Sequence, residues 1–254
     1  MRIRIGVIPA AGRGKRLSEL PLLRILPKSM LPIIDKPILE YVLENLKKLG
    51  TEVVYIIVGY KKDAIKEYFK NVYLDLEINY IEQKELKGIA HAISLTEKYI
   101  SEPFAVILGD DFTIARTLQN FIKTFQKRNA WVVEGVVKEP NIEVLKRTCS
   151  VIIEKGTQRI IDIVEKPKKP ISNLRGIGIY IFDPIIFDFI KQTPISPKSN
   201  EIEITDTIRL VAQAGRAYCA WLKGINININ TYSDLLHAIM VELRRRQKFK
   251  GWCK

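Results

Sequence analysis

Cysteine is scarce in this sequence, with three in 254 residues. Cys149, Cys219 and Cys253 stand far apart, a spacing that excludes a disulfide framework and the close pairs of a zinc site and leaves reduced core or surface thiols. Also lacking is any apolar run near the ~20 residues that a membrane helix needs, because charges interrupt every one. The N-terminus has no long apolar segment of the secretory kind, so a soluble, cytoplasmic protein with no membrane partner is expected. Neither an internal repeat nor a low-complexity tract is present, and 47% hydrophobic residues can bury a large core, which excludes disorder. Acidic residues are in deficit, 28 against 41 basic ones, for a formal net charge of +13. That balance fits an anionic partner such as a nucleotide, a sugar phosphate, a nucleic acid or a membrane surface. Charge spread over the surface, as in heat-adapted proteins, accounts for part of the excess.

What is present is alternation. Apolar runs rich in β-branched residues recur as "IRIGVI" near the start, "VVYIIV" at Val53, "INYI" at Ile78, "FAVIL" at Phe104, "WVVEGVV" at Trp131, "SVII" at Ser150 and "GIGIYIF" at Gly176. Amphipathic helical stretches at Pro37–Gly50, Lys61–Lys70 and Ile89–Tyr99 separate the early ones. Together they predict βαβ units in an α/β fold, a doubly wound, mainly parallel (mixed) Rossmann-like sheet with its ligand beyond the carboxyl ends of the strands. From Trp131 the strands crowd together, and a helix is expected within Glu203–Gly215. This half reads as a continuation covering the sheet edge, so the chain, 1–254, is expected to be a single domain. The terminal segment 233–254 predicts a helix capped by Ser233, docked through Leu235, Leu236, Ile239, Met240 and Leu243, with a basic end at Arg244–Lys250 that suits the helix dipole.

Strand one empties into "PAAGRGKRL", where Gly12 and Gly14 offer backbone N–H groups beside Arg13, Lys15 and Arg16, a combination that suits phosphate. A P-loop would need glycine at Pro9 and Ser or Thr at Arg16. A dinucleotide loop beginning at Gly12 would need Gly or Ala at Leu17. Neither condition is met. The loop is followed by "LPKSMLPIIDKPILEYVLENL", then by "YIEQKELKGIAHAI" (Tyr80–Ile93), "VILGDD" (Val106–Asp111), "IVEKP" (Ile163–Pro167), "NEIEITDTI" (Asn200–Ile208) and "NINTYSDLLHA" (Asn228–Ala238). In that order these segments resemble the signature of the sugar nucleotidylyltransferases, the pyrophosphorylases that make nucleotide sugars.

The resemblance implies a sheet of the nucleotide-diphospho-sugar transferase type, with a nucleotide-binding half (1–130) and a sugar-binding half (131–232). It also implies the reaction, attack of a hexose-1-phosphate oxygen on the α-phosphate of a nucleoside triphosphate with loss of pyrophosphate. Catalysis would then rest on positioning and charge neutralisation. Ala10, Ala11, Gly12 and Gly14 would cradle the triphosphate with Arg16, and Lys28 would sit at the reacting phosphates. Asp110, at a buried strand end, would hold Mg²⁺ with Asn228, which stands where the family often has aspartate. Asp111 next door is the competing ligand, and counting from the glycine of "LGD" favours Asp110. Gln83 and Gly88 would meet a pyrimidine base, with His91 in a packing or capping role. Ser150, Glu165, Lys166 and Gly178 would bind the sugar phosphate, Ser150 replacing a glycine and Lys15 a common threonine. "PAAG" and the proline-rich segment are similar to uridylyltransferases acting on glucose-1-phosphate, whereas "YIEQKELKGIAHA" and "SNL" are closer to long-form thymidylyltransferases. The implied partners are therefore UTP or dTTP and a hexose-1-phosphate, with UTP and glucose-1-phosphate favoured. A homo-oligomer is expected, and the β-helical acyltransferase domain of some relatives is not. Two other readings are a catalytically weak nucleotide-sugar-binding regulatory homologue and a nucleic-acid-binding protein.

Overall fold

A computed structural model describes residues 1–17 and 20–250, apart from the side chains of Lys15 and of 248–250. Strand β1 (Ile5–Pro9) opens the fold, and a short hairpin, β2 (Pro32–Ile33) and β3 (Lys36–Pro37), leads into helix α1 (Ile38–Leu49). Next come β4 (Val53–Val58), α2 (Lys62–Phe69), β5 (Val72–Tyr73), β6 (Leu76–Glu82), α3 (Ile89–Ser94), β7 (Phe104–Ile107), β8 (Asp111–Thr117) and α4 (Gln119–Arg128). The second half holds β9 (Val132–Lys138), α5 (Ile142–Arg147), β10 (Cys149–Ile153), β11 (Ile160–Glu165), β12 (Leu174–Phe182), α6 (Ile186–Gln192), α7 (Ile204–Gln213), β13 (Ala217–Trp221), β14 (Lys223–Asn228) and α8 (Tyr232–Lys250).

β1 lies parallel to β4 on one side and to β7 on the other, with Ile5 opposite Val53 and Phe104. β6 continues the parallel run beyond β4. Strands in this position are covered on both faces, which is why Val54, Ile56, Ile57 and Val58 are all fully buried and the sequence reads as a continuous apolar run. One apolar layer joins the sheet to α1, α2 and α4, the other to α3, α6 and α7, so the sheet is doubly wound as expected. β12 then pairs antiparallel with β7, and β9 with β12, so the half from Trp131 continues the same ten-stranded sheet. A separate ribbon, β8 with β14, sets Asp111 opposite Asn228. The sequence reading did not anticipate β8, β11, β13 or β14: polar residues break the apolar positions of β8, β11 and β14, and β13 is the short run "AYCAW" without a β-branched residue.

Two expectations for the last helix need correction. Its N-cap is Thr231, not Ser233: Thr231 Oγ1 accepts the Asp234 N–H, and Asp234 returns the bond to the Thr231 N–H at 2.8 Å, a reciprocal capping box. The docked seam runs through Leu235, Ala238, Ile239 and Glu242, while Leu236, Met240 and Leu243 are exposed. The rotation follows from Glu242, fully buried and ion-paired to Arg245 and Arg246, the latter also reaching Asp35. Cys149 and Cys219 are buried free thiols, and Cys253 lies outside the described residues. Among the described residues no helix is long and apolar enough to cross a membrane.

Candidate active site

Because β1 and β7 are parallel neighbours, their carboxyl ends open side by side. The loop after β1 is tied to β4 by Ala10 N–H to Ile57 O (2.8 Å) and Tyr60 N–H to Ala11 O (3.2 Å). Gly14 takes a left-handed conformation, φ 65°, with the stem of Lys28 packed over it. Between this loop, the end of β7 and the start of α3 lies a cavity of about 390 Å³. Ala10, Ala11, Gly12, Gly14, Lys28, Gln83, Gly88 and Asp110 all line it, so eight predicted residues meet in one place. Ser29 joins them, and its buried Oγ has no hydrogen-bond partner. A buried hydroxyl beside a lysine and a glycine loop suits an anionic ligand, since leaving it unpaired is unfavourable.

Opposite the loop, Lys28 Nζ lies 2.5 Å from Asp110 Oδ2 and 3.2 Å from Asn230 Oδ1. Asn230 donates to Asn228 Oδ1. Asn228 Nδ2 in turn donates to Asp111 Oδ1 at 2.8 Å, with Asp110 Oδ1 at 3.4 Å. The two aspartates are not equivalent. Asp111 is 1% exposed and accepts the Gly178 N–H, whereas the Asp110 side chain is 31% exposed and faces the cavity. Burial and the neighbouring Asp110 charge push the Asp111 carboxyl up to about 6.

At the other end, Gly88 has φ 100°, and a Cβ there would stand 2.5 Å from Ile202 O. Only glycine fits, and this seats the start of α3 against 201–202, with Glu201 in the cavity wall. Gln83 is 5% exposed, and its Nε2 donates to Gly88 O (3.1 Å) and contacts His91 Nδ1 (2.9 Å). His91 therefore holds the amide of Gln83. Burial, then the Lys87 charge, holds the His91 imidazole below its usual value, so the neutral ring accepts at Nδ1.

The residues expected on the sugar side lie outside this cavity lining. Lys166 Nζ pairs with Glu165 Oε1 at 2.7 Å, beyond the end of β11. Burial pushes the Glu165 carboxyl up, and burial pulls the Lys166 ammonium down, but Glu165 and Glu203 outweigh it and Lys166 is raised. Arg16 is exposed on its turn, and its charge opposes that of Lys166. Ser150 is fully buried with Oγ donating to Ser172 O and accepting from Ser172 N–H, so its hydroxyl is engaged within the fold. Gly178 acts on Asp111 through its N–H. Sequence reasoning missed Ser29, Asn230, Glu201 and Arg175, the last clamping Asn226 through Nη1 (2.9 Å) and Nη2 (3.2 Å). The signal for Asn230 was the alternation "NININ", which puts 226, 228 and 230 on one strand face.

Comparison with known proteins finds relatives over most of the chain. The bifunctional protein GlmU of Methanocaldococcus jannaschii is 35% identical over 222 residues, 87% of this chain, which spans 49% of that protein's length. The UTP–glucose-1-phosphate uridylyltransferase of Bacillus subtilis is 32% identical over 252 residues, 88% of this chain and 85% of the relative. Among solved structures, a UDP-glucose pyrophosphorylase complexed with UDP-glucose superposes with a TM-score of 0.83 at 33% identity, covering 96% of this chain and 99% of that one. The nucleotidyl transferase family model matches residues 5–252, from the first strand through the last helix, and the chain belongs to that family.

Proposed function

We propose that this protein transfers a nucleotidyl group from UTP, with dTTP the next choice, to a hexose-1-phosphate, favouring glucose-1-phosphate, and releases pyrophosphate. The observation that carries the reading is the meeting of the glycine loop, Lys28, Gln83 and Asp110 in one cavity. An acceptor phosphate oxygen forms the new bond to the α-phosphorus as the bond to the β-phosphate bridging oxygen breaks. The chain's contribution is alignment and positive charge: the amides near Gly12 and Gly14 with Arg16 on the leaving pyrophosphate, Lys28 at the reacting phosphates. Ser29 Oγ supplies one more donor. Gln83 supports a uracil or thymine base, because its Nε2 is engaged and Oε1, with no hydrogen bond among the described residues, is left to accept the N3–H that cytosine lacks. The names of the Bacillus subtilis relative and of the UDP-glucose complex favour UTP and glucose-1-phosphate. Glu165, Lys166 and Ser150 belong to the acceptor side of this reading, Gly178 acting there through Asp111.

Magnesium fits the donors present. Asp110 and Asn228 are neighbouring side chains with hard oxygen atoms, Asn228 turning Nδ2 to Asp110 Oδ1 in the free protein, so its amide would rotate to offer Oδ1 to a cation that also takes phosphate and water, and Lys28 already seats a positive charge against Asp110. When bound, the ion would neutralise phosphate charge at Asp110 and Asn228. The reading carries with it a cytoplasmic location and, by likeness to the family, a homo-oligomer.

The test is pyrophosphate release with Mg²⁺ over a grid of nucleoside triphosphates and sugar-1-phosphates. Highest turnover with UTP and glucose-1-phosphate, abolished in a folded Asp110→Ala variant, is the expected result. Empty wells with a folded protein that still binds nucleotide sugar would favour the regulatory homologue instead. The nucleic-acid reading loses ground because Arg245 and Arg246 at the basic end are paired to Glu242 and Asp35.

A further inference from the structure

Lysines around the cavity and the turn beside it are paired to carboxylates: Lys28 to Asp110, Lys62 to Glu82 and Lys87 to Glu85. Two exposed cations differ. Arg13, in the cavity wall between Gly12 and Gly14, and Lys61, in the turn after β4, have no ion pair among the described residues. They share one aromatic ring instead. Arg13 Cζ lies 5.8 Å from the ring centroid of Tyr60, and Lys61 Nζ lies 5.7 Å from the same centroid. Tyr60 is itself fixed to the glycine loop and to the segment that leads to Lys28: its N–H donates to Ala11 O at 3.2 Å and its hydroxyl donates to Leu23 O at 3.1 Å. Lys61 follows in a left-handed conformation, φ 54° and ψ 37°, which is unfavourable for a residue with a side chain. The turn therefore holds two like charges beside the cavity with no carboxylate to neutralise them. Such a pair raises the local positive potential and favours an anion. The unpaired, buried hydroxyl of Ser29 in the same cavity points to a ligand independently.

We propose that Tyr60 is a positioning residue whose ring carries Arg13 and Lys61 as a clamp for the outermost phosphate of the bound nucleotide, so that the site selects a triphosphate over the corresponding monophosphate. The inference rests on the reading of this cavity as the triphosphate site. In that reading the base lies at Gln83 and Gly88 and the leaving pyrophosphate at the loop, whose apex is Arg13. A guanidinium presents paired N–H donors to phosphate oxygens, and an ammonium adds a compact charge. The negative face of an aromatic ring attracts both groups without cancelling their charge, which a carboxylate in its place would do. Arg13 and Lys61 are thus kept near the loop and left available to phosphate. UMP lacks the two outer phosphates and does not reach the clamp.

The experiment measures the binding of UTP and of UMP to the full chain by titration calorimetry with Mg²⁺ and without sugar phosphate, so that no turnover occurs. Wild type is expected to bind UTP more tightly than UMP. Arg13→Gln and Lys61→Gln, each checked for wild-type melting, are each expected to weaken UTP about five- to tenfold and UMP by less than about twofold. Tyr60→Leu, which removes the ring, should reproduce the loss. Tyr60→Phe, which keeps the ring and removes the bond to Leu23, should restore most of the UTP affinity. Lys66→Gln removes an α2 lysine that stands over Tyr80, not Tyr60, and should bind UTP like wild type. An equal loss in Lys66→Gln would show diffuse attraction and overturn the clamp. Wild-type UTP affinity in a folded Tyr60→Leu variant would overturn the positioning role of the ring. If Arg13→Gln and Lys61→Gln bind UTP like wild type while Lys28→Met loses it, the clamp is overturned and the triphosphate reading stands. If wild type binds UTP no more tightly than UMP, that reading fails and the clamp falls with it.

Discussion

The backbone N–H of Gly178 donates to Asp111 Oδ2 at 2.8 Å, and a Cβ on residue 178 would stand 2.2 Å from that same oxygen. The bond joins β12, from the second half of the chain, to the strand end that carries Asp110. Through it the second half of the chain sets the position of the Asp111 carboxylate on the first.

Gly178→Ala should therefore displace Asp111 and break the bond. A buried carboxylate losing a hydrogen bond to its charged form costs about 2 kcal/mol, readable by urea denaturation. Turnover should fall by roughly ten- to a hundredfold as Asp110 shifts with its neighbour. Wild-type stability and turnover together would mean that the two strands are not coupled at this point.

Gln83 and His91 predict a pH dependence. His91 is held below its ordinary 6.5 in the folded protein, so the unfolded chain binds more protons between the two values. The contribution to stability is complete above pH 6.5 and declines as pH falls below it. Protonated Nδ1 can no longer accept from Gln83 Nε2, so UTP affinity should decline over the same acid window, and His91→Asn should flatten that profile. Gln83→Ala should reduce the preference for UTP over CTP by about ten- to a hundredfold, the equivalent of one buried hydrogen bond to the base.

Under the proposed reading Lys166, paired with Glu165, belongs to the acceptor side. In Lys166→Ala the KM for the sugar phosphate should rise about tenfold, with the KM for the triphosphate within about twofold of wild type. Steady-state kinetics with each substrate varied in turn separates the two. Equal increases for both substrates would move Lys166 to the triphosphate.

Glu134 lies in the middle of β9, fully buried, with Oε2 unpaired and Oε1 3.9 Å from Cys149 Sγ. Burial, then the Glu165 charge, pushes its carboxyl well above 4.5. A raised acid stabilises the fold below its unfolded value, and that contribution is lost as pH rises through the folded value. Glu134→Gln should match wild type in thermal melting at pH 5 and exceed it by a few degrees at pH 9. An identical difference at both pH values would mean that residue 134 does not titrate on unfolding.

The parallel core was legible because strands covered on both faces leave unbroken apolar runs, as at Val53–Val58 and Phe104–Ile107. β8 and β14 were not, since polar residues such as Thr113 and Asn226, bonded to each other within the ribbon, break their apolar runs. The docked face of α8 was misjudged for a related reason. Leucine spacing cannot reveal that a glutamate, Glu242, is buried in the seam by two arginines.

The candidate nucleotide pocket could be drawn from local segments, because each combines a turn-forming backbone with one chemistry-bearing side chain: Gly12 and Gly14, Lys28, Gln83 with Gly88, Asp110. Those features follow from short-range geometry and are written in consecutive residues. Tertiary structure alone decided which oxygen of which aspartate faces the cavity, that Ser150 turns to Ser172, that His91 orients Gln83, and that Asn230 bridges Lys28 and Asn228. The contacts of Lys28 join it to Asp110, 82 positions away, and to Asn230, 202 away, and their distances depend on how β7, β12 and the β8–β14 ribbon pack, which no local pattern of residues encodes.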